Sequence, residues 1–295
     1  MLRKLYYDVL PNRVKKFIFT AARRVYSPSP ALRNVLYFEG DFAVTTNSTS
    51  FLMSHTGNGL ENKIFWKGLY GHEAGSMQLW QRLCEAANII LDIGSNTGLY
   101  TLVAKSVNPS ARVYAFEPLS QFASTLKHNV KLNNFDIKIY EYAISDFIGE
   151  AEFYSPKPYH GNIYSSTLST SHYQNHQTST PLVSSVNVKT LDEIVKEERL
   201  ENIDLIKIDA EGHDHNVLKG FSSSLTWMSP DFLIEIQNPQ IGAAIEEVLA
   251  GKNYVYINID DSLSNTFQKL DFLSPAIGRN FLICKQSTSR KLKLI

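Results

Sequence analysis

The sequence predicts an α/β protein built on a doubly wound parallel sheet, with an N-terminal helical and hairpin extension ahead of it. Three observations carry this. Short apolar runs of strand length alternate with helical stretches from residue 89 onward, the pattern of a sheet buried on both faces. The first run, Ile89-Ile90-Leu91, leads straight into a glycine-containing loop and then a helix, at the sheet end where α/β proteins hold ligands. The composition is that of an ordinary globular chain, 295 residues with 43% apolar and 20% charged, which excludes collagen-like repeats, coiled coil and wholesale disorder.

Residues 1–34 form a basic extension. Val14, Phe17, Ile18, Ala21 and Val25 recur at helical spacing, Lys16 and Arg23 lie opposite, and Arg13, Lys15 and Arg24 flank the stripe. Ser27-Pro28-Ser29-Pro30 then reads as a linker. A basic amphipathic helix of this kind packs on its own domain, or lies on an anionic membrane or a partner; the short, alanine-containing stripe favours the first. Residues 35–46 read as a hairpin about Glu39-Gly40-Asp41 and 72–87 as a helix, so 35–88 is expected to pack on the core.

The body, 89–284, carries strand signals at 89–93, 112–116, 137–142, 203–208 and 232–236, and helical ones at 98–106, 119–133, 190–199, 213–221 and 241–250. The last strands, 254–259 and 281–284, have no helix between them and are expected to pair antiparallel at one edge. Residues 155–187, rich in Ser, Thr, Tyr and His, interrupt the rhythm. A loop that long inside a compact domain is usually functional or disordered, and Tyr154, Tyr159, Tyr164 and Tyr173 suit it to a sugar acceptor. Residues 285–295 form a basic tail.

Charge balances over the whole chain but not along it. Residues 1–35 hold eight basic and one acidic residue, 285–295 hold four basic and none acidic, and the body between them holds 17 basic and 28 acidic. An acidic body speaks against a nucleic-acid partner held by bulk charge. Cys84 and Cys284 make neither a disulfide framework nor a zinc site. They suggest a reducing, cytoplasmic compartment, with the basic helix offering a weak peripheral contact at the inner face of a membrane or with a protein. No apolar run reaches the ~20 residues of a membrane span.

The run Asp92-Ile93-Gly94-Ser95-Asn96-Thr97-Gly98 links the first strand to its helix. Its glycines permit close approach of backbone to ligand, and the helix start offers N–H groups to a carboxylate or phosphate. Nineteen residues after Gly98, Glu117 ends the second strand, where an acid can accept hydrogen bonds from ribose hydroxyls. Together they describe a site for an adenosine-containing cofactor. A dinucleotide fingerprint would need glycine at the positions of Gly94, Asn96 and Leu99, and two of the three fail. A second cluster, Asp209, Glu211 and His213, falls at the carboxyl end of the fourth strand, beside Lys207, which if buried pairs with an acid, Glu235 being one candidate, or else snorkels outward.

The ordered set resembles the FkbM-type methyltransferases: Asp92 to Gly98, Phe116-Glu117-Pro118, Ala143-Ile144-Ser145-Asp146, Thr190-Leu191-Asp192, Lys207 to Gly212, and Glu73 ahead of the first strand. Asp214 departs from the pattern, which usually has Glu there. The resemblance implies S-adenosylmethionine as cofactor and a Rossmann-like class I methyltransferase sheet of seven strands with one antiparallel edge strand. It also implies methyl transfer, usually to oxygen, on small-molecule, sugar or lipid-linked glycan acceptors. The cofactor residues it marks are Glu73, Asp92, Gly94, Ser95, Asn96, Gly98, Glu117, Pro118, Ala143 and Asp209. Asp209, Glu211 and His213 are the expected catalytic residues, with Asp209 or His213 as the base for the acceptor hydroxyl and Glu211 as the group that orients it. Mg²⁺ on Asp209, Glu235 and Asn238 is an alternative way to hold the acceptor. A dinucleotide-dependent oxidoreductase and a non-catalytic interaction module are the competing functions. Oligomeric state stays open.

Overall fold

The computed structural model of the protein describes residues 10–33, 35–155, 167–168, 182–262 and 266–294. The N-terminal extension contributes α1 (Asn12–Ala22), the single turn α2 (Pro30–Arg33), the hairpin β1 (Gly40–Thr45) and β2 (Ser50–His55), α3 (Gly59–Lys67) and α4 (Ala74–Cys84). The body follows as β3 (Ile89–Ile93), α5 (Leu99–Val107), β4 (Arg112–Phe116), α6 (Ser120–Leu132), β5 (Ile137–Tyr140), β6 (Ala143–Ile144), β7 (Gly149–Ser155) and β8 (Leu182–Lys189). Then come α7 (Leu191–Glu198), β9 (Leu205–Ile208), α8 (Asp214–Lys219), β10 (Asp231–Glu235), α9 (Pro239–Leu249), β11 (Val255–Asp260), β12 (Thr266–Leu270), β13 (Asn280–Cys284) and α10 (Gln286–Lys291).

Eight strands form the main sheet in the order β12-β11-β13-β10-β9-β3-β4-β5. Strands β10, β9, β3, β4 and β5 run parallel. Successive residues of each strand feed opposite faces: Ile90, Val113, Leu205 and Leu233 enter one apolar cluster, and Leu91, Tyr114, Ile206 and Phe232 the other. That two-sided burial is why the strands read as continuous apolar runs. The strand order reverses at β3, whose neighbours are β4 on one side and β9 on the other. Helices therefore leave in opposite directions and open a crevice at the carboxyl ends of these three strands.

The sheet is a Rossmann-like α/β sheet, with differences in detail from the expectation. An eighth strand, β12, extends the edge by pairing with β11. The reversed strand β13 is not at the edge but lies between β10 and β11, antiparallel to both. A second, three-stranded sheet of β6, β8 and β7 takes the last residues of the stretch read as the long loop. Its two longer strands alternate exposed and buried positions only in their later residues, and the first four residues of β8 are all exposed, which masks the period. Tyr159, Tyr164 and Tyr173 lie outside the described residues.

The N-terminal hairpin is shifted from its expected place. Gly40 starts β1 with a positive φ of 134°, and the turn falls at 46–49, where Thr46 Oγ1 accepts from Thr49 N at 2.9 Å. Side chains of α6 fasten the β2 backbone: Asn129 Oδ1 accepts from Ser54 N at 2.8 Å, and Asn133 Oδ1 accepts from Leu52 N at 2.7 Å. Helix α1 packs by a face other than the expected one. Phe19 is buried against Trp66, with ring centroids 5.4 Å apart, and Arg23 lies 4.7 Å from the Phe65 ring centroid. The stripe expected to pack is exposed instead, with Phe17 at 77% and Val14 and Ile18 at 40% and 44%. The packed side is the one where Phe19 meets Trp66 and Arg23 meets the Phe65 ring.

Both cysteines are buried and unpaired with each other. Among the described residues no helix is long and apolar enough to cross a membrane. Trp80 on α4 is fully buried, and its Nε1 donates to the Tyr100 carbonyl at 2.9 Å, so it joins the extension to the first helix of the body. Trp80→Ala is expected to cost ~3–5 kcal/mol, measured as a lower urea midpoint.

Candidate active site

The turn after β3 closes on the backbone of two other strands. Gly94 N and Ser95 N both donate to the Phe116 carbonyl at 3.0 Å. Ser95 Oγ donates to the Asp92 carbonyl at 2.7 Å and accepts from Phe116 N at 3.0 Å. Gly94 has φ +76°, and a Cβ there would sit 2.0 Å from the Asp209 carbonyl oxygen, so only glycine lets β3 and β9 end this close together. Asn96 takes a left-handed φ of 50°, which Asn tolerates better than most residues. Its N–H donates to Glu117 Oε2 at 2.9 Å, while Leu119 N donates to Glu117 Oε1 at 2.9 Å.

These turns frame a cavity of about 260 Å³ at the crevice. Glu73, Asp92, Gly94, Ser95, Asn96, Glu117, Pro118, Ala143, Asp209, Glu211 and His213 all line it. Gly98 does not; it precedes α5 with φ +98°, and a Cβ there would meet Leu126 Cδ1 at 2.4 Å. Its part is to let α5 and α6 meet. Phe153 and Leu168, from β7 and the segment after it, also reach the wall. Thr167 beside Leu168 is buried and donates from Oγ1 to the Glu211 carbonyl at 2.9 Å.

A single buried cation organises the floor. Lys207 is 5% exposed, and its Nζ lies 2.8 Å from Asp209 Oδ2 and 4.4 Å from the Tyr100 ring centroid. Asp92 is its register neighbour across β3 and β9. Burial alone would lower the lysine pKa, but the carboxylates of Asp209, Asp92 and Glu73 raise it above the ordinary value. Its partner is therefore Asp209, not Glu235. The Tyr100 hydroxyl donates to Glu73 Oε2 at 2.6 Å. Burial would push Glu73 up, yet His72, Lys207 and that hydroxyl hold it below the usual carboxylate range.

Asp92 is 1% exposed. Thr101 Oγ1 donates to its Oδ2 at 2.5 Å, but its Oδ1 is buried with no hydrogen-bond partner. Burial raises its pKa, against the pull of Lys207. A buried carboxylate oxygen without a donor is costly, and in a cavity wall it marks where a ligand donor belongs. Burial likewise pushes Glu117 up to about 7, opposed by its two backbone donors and reinforced by Asp92 and Asp209.

The 209–214 turn distributes its acids among different tasks. Asp214 caps the turn, accepting from Ala210 N at 2.8 Å and Gly212 N at 3.1 Å. Glu211 has a left-handed φ of 50°, and Gln237 Nε2 donates to Glu211 Oε2 at 3.3 Å and Glu235 Oε2 at 3.2 Å. His213 Nε2 is 2.8 Å from Ser145 Oγ, and its Nδ1 is 3.2 Å from Asn216 Nδ2. Burial, with help from His215 and Lys219, lowers His213 to about 4, so it is neutral at pH 7. Asn238 uses its Oδ1 to cap α9, accepting from Ile241 N at 3.0 Å, and does not line the cavity as Asp209 and Glu235 do. Among the described residues no three His, Cys, Asp or Glu side chains form a metal-binding group.

Sequence reasoning missed Tyr100, Thr101 and Ser145 as partners of the site. The first two sit one turn into α5, facing back onto β3, and Ser145 stands in the Ala143–Asp146 run.

The family model for the FkbM methyltransferase domain matches residues 92–257, from the start of this turn through β10 and into β11. The chain belongs to the FkbM methyltransferase family. This FkbM chain is 33% identical over 147 residues to the 2-O-methyltransferase NoeI of Sinorhizobium fredii, covering 47% of this chain and 59% of that protein. It is 28% identical over 152 residues to the hexuronic acid methyltransferase AglP of Haloferax volcanii, covering 51% and 56%. The matches thus span a little over half the length of these curated relatives. A solved FkbM methyltransferase from Methylobacillus flagellatus is 15% identical, with a TM-score of 0.40 over 67% of this chain and 43% of that one.

One acid of the FkbM cavity has a clear pH signature. Burial, with Asp209, Glu211 and Asp214 nearby, pushes Glu235 from the ordinary 4.5 up to about 9. The native state keeps a proton that the unfolded chain releases. Glu235's contribution to stability is therefore present below the ordinary carboxylate range and is lost as pH rises through about 9. Glu235→Gln is expected to gain melting temperature on the parent protein as pH rises from about 5 to about 9, read by thermal melts across that window.

Proposed function

We propose that this chain is an S-adenosylmethionine-dependent O-methyltransferase acting on a hydroxyl of a sugar, a glycan or a secondary metabolite. The observation that carries the reading is the orphaned, buried Asp92 Oδ1 in a wall that also holds Lys207, Glu117 and the Gly94–Asn96 turn. Asp92 offers an acceptor to the cofactor's amino group, the turn offers backbone to its amino-acid end, and Glu117 faces its ribose. Glu73, Pro118 and Ala143 complete the wall. When bound, the cofactor supplies an electrophilic methyl on a sulfonium. Transfer to oxygen is supported by the likeness to the 2-O-methyltransferase NoeI, and a sugar acceptor by the likeness to the hexuronic acid methyltransferase AglP.

The chain's own residues then hold the acceptor and take its proton. Asp209 is the better base. Lys207 engages Asp209 Oδ2, and Asp209 Oδ1 carries no hydrogen bond among the described residues, with the side chain 30% exposed. His213 has both ring nitrogens occupied by Ser145 and Asn216, so it orients rather than abstracts. Glu211, tied to Gln237, positions the acceptor. Holding the hydroxyl behind the methyl and excluding water supply the main part of the acceleration.

S-Adenosylhomocysteine is expected to raise the melting temperature where NAD does not. Asp92→Ala should weaken S-adenosylhomocysteine binding about 10–100-fold by calorimetry, the worth of a hydrogen bond to a charged group. Asp209→Asn should keep that affinity within a few fold and lower turnover by about 10²–10⁴. Full turnover of Asp209→Asn would remove Asp209 as the base.

A further inference from the structure

The exposed face of α1 has no role in the site. Val14, Phe17, Ile18 and Ala21 share one side of the helix by their i, i+3, i+4 spacing, and all four face solvent, with Phe17 at 77%. Val25, just past the helix, is 90% exposed. The opposite side is committed to the body through Phe19 and Arg23. Arg13 and Arg24 flank the stripe and Lys16 lies behind it, next to the packed side; none of the three is ion-paired among the described residues. The helix, NRVKKFIFTAA, contains no acid. An apolar stripe bordered by cations on a rigidly mounted helix is the form of an interfacial membrane helix.

We propose that α1 docks the enzyme on an anionic lipid surface, with Phe17 and Ile18 in the acyl boundary, Arg13 and Arg24 on headgroups, and Lys16 adding positive charge behind them. Charge decides between occupants. Residues 1–35 hold eight basic residues against one acidic, whereas residues 36–284 hold 17 against 28. A second copy facing this surface would set like charges against each other. An anionic bilayer attracts the helix and repels the body, which fixes how the molecule stands on it. No helix of the described residues crosses a membrane, so the contact is one of surface attachment.

The test is co-sedimentation of the full chain with vesicles of phosphatidylcholine alone and of phosphatidylcholine mixed with phosphatidylglycerol. Binding is expected only to the mixed vesicles and should weaken as salt rises. Phe17→Asp should lower that affinity about tenfold or more, and the triple variant Arg13→Glu, Lys16→Glu, Arg24→Glu should abolish it. The exposure of these side chains leaves the fold intact, checked by circular dichroism melts. A Phe17→Trp variant should add a blue shift in emission on the mixed vesicles. Equal binding to both vesicle types, no binding, or no added shift would overturn the proposal. A dimer in light scattering that Phe17→Asp breaks would also overturn it, since the face would then be a protein interface.

Discussion

The Lys207 ammonium is the constraint on which the site depends. It is buried beneath the crevice, and Asp209, Asp92 and Glu73 are arranged about it on three different elements. Without a cation there, three carboxylates would crowd one low-dielectric wall, and some would take up protons. With it, Asp209 is held in an ion pair at 2.8 Å, and Glu73 is held below the usual carboxylate range. The lysine ammonium lies over the ring of Tyr100, whose hydroxyl reaches Glu73, so one side chain fixes both the charge and the positions of the groups around it. A buried ion pair of this kind earns its place by geometry more than by net stability.

Much of this was legible in the residues themselves. The alternation of apolar runs gave the sheet because burial on both faces leaves a period that side chains cannot hide. Gly94 and Glu117 were legible because a tight turn and a strand-end acid are local requirements. The pairing of Lys207 with Asp209, two residues on, was half legible: burial demanded an acid, and the choice between Asp209 and Glu235 needed the register of β9 and β10. The added strand β12 and the place of β13 were not legible, since strand patterns say nothing about partners. The surroundings of His213 were half legible: Asn216 lies three residues on, but Ser145 is brought in from 68 residues away. For α1 the hydrophobic stripe was read correctly and its direction was not. Which side packs was decided by Phe65 and Trp66, far along the chain.

One side chain gives the hairpin a stake in the cavity. Asn129 Oδ1 receives Ser54 N of β2, while Asn129 Nδ2 donates to the Thr97 carbonyl at 2.8 Å. Thr97 Oγ1 in turn donates to Glu61 Oε1 of α3 at 2.7 Å. The extension and the turn after β3 therefore share one cost of becoming ordered. Whatever tightens the turn makes the hairpin harder to peel away, and whatever frays the hairpin loosens the turn by an equal free energy. The hairpin ahead of the family domain is in this sense part of the domain's affinity.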